Sequence, residues 1–359
     1  MSMTIGRIST QQFNQMNRDL ISRTTVSLQQ AAKEVVTGRR ADVFLDLGPQ
    51  AASSLTLRTR EDETQAYLTS NSLLQGRLQV QLDSVDSIRG QVIDVLEPVL
   101  ANASMPLAGA DTIQIQARTA LEITIAQLNV SFSGETLFGG TRSGAPPLTQ
   151  YSDVNPNTGL SPQDVVNSII TGPPATLADI TQIVADLDAV FSSTSANPNE
   201  DFEGTFYNGT PELDGSGIPN PRISARIEPG LELDYGLQAN DEPFREVIKG
   251  FAMLAAFDVT EISDPDVYVT WMDEVTKVLG DASLEVLNIS AEIGFRQQTV
   301  ETAQRRLEAV SNVNITQLAQ LEEVDPYEAA TRMTALETQL RATYEVTAQL
   351  NSLSLLNYL

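Results

Sequence analysis

Two long stretches of heptad-spaced apolar residues, one on each side of a proline-rich middle, constrain this chain more than any other feature. From Asn71 onward, Leu74, Leu78, Val85, Ile88, Val92, Val95 and Val99 fall on the a and d positions of consecutive heptads, and only Gln81 interrupts them. A helix over 71–100 would be about 45 Å long at 1.5 Å per residue, longer than an ordinary globular helix, and needs a partner along its length. Val286, Ile289, Ile293, Val300, Ala303, Leu307 and Val310 keep the same spacing beyond the middle, with Arg296 as the exception. The two seams are therefore expected to pair. A third helix with Leu121, Ile125, Leu128 and Phe132 on one stripe, ending in the Gly134 region, would complete a bundle built from both halves of the chain.

The middle reads differently. Residues 145–265 hold 13 of the 17 prolines, and their 19 acidic and 4 basic residues supply most of the molecule's negative charge. Because proline breaks helices and sheets alike, this segment is expected to be an inserted, outward-facing α+β module. Residues 202–207, 222–228 and 231–237 are candidate strands between turn clusters such as Asn208-Gly209 and Asp214-Gly215. The stretches 177–191 and 242–257 have helical spacing.

Both chain ends are amphipathic, with Phe13, Met16, Leu20, Leu28, Ala32 and Val35 at the front and Leu336, Leu340, Tyr344, Leu350, Leu353 and Leu356 at the back. Each end is expected to be one long helix. Gly38 suits the left-handed residue that stops the first, and Asp325-Pro326-Tyr327-Glu328 opens the last with a cap, a first-turn proline and a capping-box spacing. The heptads of the central helices read as an intramolecular core. The terminal stripes have little chain except each other to cover them, so they read as surfaces for neighbouring subunits.

Composition removes most chemistry. The chain of 359 residues is long enough for two or three domains at about 100–200 residues each, yet it contains no cysteine and no histidine. Disulfides, thiolate nucleophiles and most zinc and general-base chemistry are thereby disfavoured, and no catalytic residue, metal ligand or cofactor site is assigned. The net charge of -25 repels phosphate backbones and anionic membranes, so nucleic acid and membrane insertion are not expected. No apolar run approaches the ~18 residues of a spanning helix, and the start lacks the pattern of a secretory signal.

Several local patterns read as structural. Gly139-Gly140-Thr-Arg-Ser-Gly144 lacks the lysine of a phosphate loop and reads as a linker. The acidic 201–214 region lacks calcium-loop spacing, and the five Asn-X-Ser/Thr triplets read as chance. Trp271 is expected to anchor the core. Asp201, Glu203 and Glu212 are the carboxylates a carbohydrate-directed site in the insert would use, a distant alternative.

A family resemblance rests on Ile8-Ser-Thr-Gln-Gln, Val36-Thr-Gly-Arg-Arg40, Leu137-Phe-Gly-Gly-Thr-Arg-Ser-Gly-Ala-Pro-Pro-Leu148 and the closing Ala348-Gln-Leu-Asn-Ser-Leu-Ser-Leu-Leu-Asn-Tyr-Leu359. These resemble the flagellin superfamily, and within it the hook-associated protein 3 group of the hook–filament junction, over about 1–148 and 266–359. Ala41-Asp-Val-Phe-Leu-Asp-Leu-Gly48 lacks the asparagine and paired aspartates of the usual flagellin turn, which favours the junction group over a filament flagellin, the alternative.

The resemblance implies a structural subunit, secreted unfolded through the flagellar type III channel with an export chaperone at its C-terminus. It also implies packing against copies of itself, a neighbouring hook-associated protein and flagellin. The terminal stripes would carry assembly, with Gly38, Arg39 and Arg40 shaping the bend to the rod, and Gly139, Gly140, Pro146 and Pro147 the hinge to the insert. The expected domains are 1–40 with 326–359, 41–144 with 266–325, and 145–265.

Overall fold

The structure, a computed structural model, describes the backbone of residues 10–356 apart from residue 108, with side chains at Gln12 and over 15–349. It is mainly α-helical. The helices are α1 (Thr10–Thr37), α2 (Val43–Leu47), α3 (Ala51–Ala101), α4 (Ile113–Leu128), α5 (Pro162–Ile169), α6 (Leu177–Phe191), α7 (Glu242–Ala255), α8 (Pro265–Glu322) and α9 (Pro326–Leu356). Two antiparallel pairs, β1 (Ser131–Phe132) with β2 (Glu135–Thr136) and β3 (Ser224–Glu228) with β4 (Leu231–Asp234), supply the β structure of the described residues. The chain divides into two compact units, residues 1–66 with 307–359, and residues 67–306.

The 67–306 unit is built on the heptad seams. Leu78, Val85, Ile88, Val92 and Val99 of α3 are fully buried, as are Val286, Ile293, Val300 and Ala303 of α8. Hydrogen bonds from Ser290 to Asp86 (2.8 Å) and from Gln297 to Gln79 (3.1 Å) stitch the edges of this pairing. Gln81 stays buried in the seam, where its Nε2 donates to the Leu137 carbonyl while its Oε1 has no partner among the described residues. Helix α4 packs on α7, which buries Phe244, Val247, Ile248 and Phe251. Gly250 lets α8 approach α7, since a Cβ there would lie 2.5 Å from Leu279 Cδ2. Trp271 is buried against Phe257, with ring centroids 5.3 Å apart. One contiguous core thus takes side chains from α3, α4 and α8 and from the proline-rich middle.

Two expected elements differ. Helix α4 stops at Leu128, and Phe132 lies in β1, because Ser133 and Gly134 both take positive φ (53° and 87°) and close a two-residue hairpin turn. Residues 202–206 form a π-helical turn, with the Tyr207 N–H bonded to the Phe202 carbonyl at 2.9 Å. The cause is the spacing of the aromatic rings. Phe202 and Phe206, four apart, stack at 5.1 Å and both meet Phe191, whereas a strand would hold the two rings farther apart along the chain.

Candidate assembly interface

In the unit formed by residues 1–66 and 307–359, the two terminal helices pair with each other. The face of α1 that is buried is small and polar, with Asn17, Thr24, Ala31 and Glu34 near heptad spacing. Ala329 is the fully buried counterpart on α9, with Leu336 and Leu340 half-buried. Small residues on facing helices allow close axial approach, and they leave the larger apolar side chains at the flanks. Leu28, Ala32 and Val35 are accordingly half-buried, while Met16 and Leu20 are 58% and 43% exposed and Tyr344 is 52% exposed. Val26, Val36 and Val346 are exposed as well. The side chains of Phe13, Leu350, Leu353 and Leu356 lie outside the described residues.

The segment between α1 and α2, where a bend was expected, is tied to the α8–α9 junction by backbone bonds and ion pairs. Gly38 ends α1 at φ 67°, donating its N–H to the Glu34 carbonyl at 2.8 Å. Its own carbonyl accepts from Val324 N–H, and Arg39 pairs with Glu323 as an antiparallel bridge. Arg40 donates its N–H to the Glu322 carbonyl and its Nε to the Leu321 carbonyl, which satisfies two acceptors that the end of α8 leaves open and puts positive charge at its negative pole. Glu34, 5% exposed, accepts from the Ala41 N–H and pairs with Arg332 of α9 at 3.2 Å. Asp325 caps α9 by accepting from Tyr327 N–H, while Glu328 pairs with Arg332 one turn on.

Next to this segment, the first turns of α3 and the end of α8 meet through a polar seam. Glu322 receives Nε and Nη2 of Arg58 at 2.7 and 2.6 Å and the Ser54 hydroxyl. The Arg58 guanidinium holds its carboxyl below the usual carboxylate range. Burial opposes the charge of Glu61, but bonds from Ser311, Gln65 and Asn314 outweigh it and also hold that carboxyl low. The sequence reading did not single out Arg58, Glu322, Glu34 or Arg332. Carboxylates at the a and d positions, with arginines a turn or a facing helix away, were the signal that could have found them.

The second expected bend lies in the 67–306 unit. The Gly139 carbonyl accepts from Thr210 N–H at 3.0 Å, and Gly139 bridges Gln238. Gly140 has φ 64°, and a Cβ there would lie 2.7 Å from Gln238 Nε2, so only glycine fits. Pro146 is exposed, while Pro147 is buried and accepts from Asn208 N–H at 2.7 Å. The insert carboxylates brace loops. Asp201 accepts from Ser195 N–H, Glu203 from Glu212 N–H and Asn240, and exposed Glu212 faces Arg245. Among the described residues no cluster of three or more acidic side chains has metal-binding geometry, and no helix is long and apolar enough to cross a membrane.

Two family models match the sequence. The bacterial flagellin N-terminal helical region covers residues 8–143 and the bacterial flagellin C-terminal helical region covers residues 276–359, together more than half of the chain. No curated protein matches in sequence. Among solved structures, one assigned as a flagellar hook-associated protein from Vibrio parahaemolyticus aligns over 77% of this chain and 99% of its own, at 13% identity and a TM-score of 0.51, a likeness of fold. FlgL of Bacillus cereus aligns over 75% of this chain and 97% of its own, at 14% identity and a TM-score of 0.36. The matched regions supply the paired terminal helices and the seams of α3 and α8. The chain belongs to the flagellin superfamily and is a structural component of the bacterial flagellum.

Proposed function

We propose that this chain is a hook-associated adaptor of the hook–filament junction, joining hook to filament by polymerisation of its terminal helices into a ring or helical layer. One observation carries the reading: α1 and α9 already cover each other, yet Met16, Leu20, Val26, Tyr344 and Val346 remain exposed. Burying one such side chain is worth about 1.5–3 kcal/mol, so a shared interface would be strongly favoured over solvent. The neighbours in this reading are other copies, an adjacent hook-associated protein and flagellin.

Residues 1–40 with 326–359 would be the assembly domain, 41–144 with 266–325 a rod, and 145–265 an outward-facing module. Gly38, Arg39 and Arg40 shape the bend between the first two, and Gly139, Gly140, Pro146 and Pro147 set the passage to the third. Secretion through the flagellar type III channel, with a chaperone on the C-terminal helix, fits a chain without disulfides. Deleting the gene and imaging cells and medium by electron microscopy tests this. Hooks without filaments, with flagellin lost to the medium, are expected. Normal filaments after deletion, or this chain as the bulk of sheared filaments in the parent strain, would overturn the junction role and favour a filament flagellin.

A further inference from the structure

Helix α8 carries a second heptad seam on the side away from the core. Val286, Ile289, Ile293 and Val300 form the first and are buried. Gly280, Leu284, Leu287, Ala291 and Gly294 form the second, at alternating spacings of four and three, and Phe295 adjoins its end. Leu284 is 63%, Leu287 42% and Phe295 73% exposed. Scattered exposed apolar residues are ordinary, but a register kept over 280–294, about 21 Å of helix, is the pattern of a face that packs on another helix. The two glycines fit that pattern. An added Cβ at either would meet nothing within 4 Å, so no contact within the chain calls for glycine there, although glycine inside a helix costs stability. Without side chains at these two positions, a partner helix can approach closely.

One flank of this seam is acidic. Asp281, Glu285 and Glu292 each directly follow a seam position, and all three are exposed. Helix α7 adds Glu242 and Glu246 to the same bank. Partial burial, and after it the like charges of Glu242, Glu246 and Asp281, hold the Glu285 carboxyl above the usual carboxylate range. Two cations answer part of the bank, Arg296 on Glu292 at 3.3 Å and Lys249 on Glu246 at 2.6 Å. Asp281, Glu285 and Glu242 have no ion-pair partner among the described residues, and Lys277, about one turn before Asp281, is unpaired as well. In paired helices the positions beside the apolar seam choose the partner by charge. A second copy laying the same face here would set carboxylate against carboxylate, so the bank selects against self-pairing and for a cationic flank.

We infer that residues 280–295 of α8 dock a helix of a partner protein, one with an apolar heptad stripe and lysine or arginine along its flank. Leu284, Leu287 and Phe295 supply the apolar contact, Gly280 and Gly294 the close approach, and Asp281, Glu285 and Glu242 the charge. Such docking does not depend on the junction role.

The probe is a fluorescent synthetic helix of about three heptads with leucine at a and d and lysine at e and g, whose like charges keep it from pairing with itself. Fluorescence anisotropy with the purified full chain should show saturable binding. A copy with glutamate at e and g should bind about tenfold more weakly, and so should a scrambled copy of the lysine probe. Leu284→Ser with Phe295→Ser should weaken the lysine probe about tenfold while the thermal melt stays unchanged, since both side chains are exposed. Asp281→Lys with Glu285→Lys should weaken it similarly and strengthen the glutamate copy. No saturable binding, equal affinity for the scrambled copy, or equal affinity of the native chain and both variants would overturn the site. Loss of binding on Met16→Ser with Leu20→Ser, with the α8 variants unaffected, would move the probe to the terminal helices and overturn it too. Reduced self-association of the chain carrying Leu284→Ser and Phe295→Ser, followed by sedimentation velocity, would make a second copy the occupant and overturn the cationic partner.

Discussion

Arg58 grips Glu322 with two nitrogens, and Glu322 is nearly enclosed while Arg58 is half exposed. Removing the arginine leaves a buried carboxylate with only the Ser54 hydroxyl. Arg58→Met should therefore cost about 2 kcal/mol in chemical denaturation, less than for a fully enclosed pair because water reaches the guanidinium. The sign of the pH dependence follows from the lowered folded-state pKa of Glu322. Its contribution is complete above the unfolded carboxylate value and is lost as pH falls through the folded one. Between pH about 6 and 3 the parent chain should lose more stability than Glu322→Gln, and parallel curves would mean that the pair contributes nothing. Gly38 makes a different case. An added Cβ would meet nothing within 4 Å, so Gly38→Ala should cost only the left-handed backbone strain, about 1 kcal/mol.

At the scale of elements, the heptads of α3 over 74–99 predicted their own burial position by position, because a and d spacing reports which face packs. The same helix begins at Ala51, and that extension was not legible from the apolar pattern. Over 51–71 its buried positions include Ser54, Thr64 and Asn71, and α8 answers past residue 307 with Ser311, Asn314 and Glu322. The period continues in polar residues that hydrophobic patterning does not count. The terminal stripes were legible as amphipathic, but their packed face was not. Small and polar residues take the contact, and Met16 and Leu20 sit beside it. Among the described residues, none of α1 or α9 belongs to the contiguous core of the 67–306 unit. Removing residues 1–35 or the last 20 should thus leave the main cooperative melt in place while abolishing incorporation into flagella. Loss of that melt would show that the terminal pair is part of the folding core.

For the whole molecule, charge governs how copies approach one another. At -25, each copy repels the next, and the repulsion acts over about 10 Å at 0.1 M salt and about 3 Å at 1 M. Apolar contacts at the terminal helices act only at touching distance and are not weakened by salt. Salt-bridge contacts between copies would be weakened, but exposed pairs contribute only about 0–1 kcal/mol each, too little to reverse a repulsion summed over the surface. Association of the purified full chain, followed by sedimentation velocity, should therefore increase as salt rises from about 0.05 to about 0.5 M. The increase should shrink when Met16, Leu20 and Tyr344 are all changed to serine and vanish when Val26, Val36, Tyr327 and Val346 are changed as well, since these seven supply the large apolar side chains exposed on the described parts of the two terminal helices. A decrease with salt in the parent chain would instead mean that opposite charges, not apolar stripes, hold copies together.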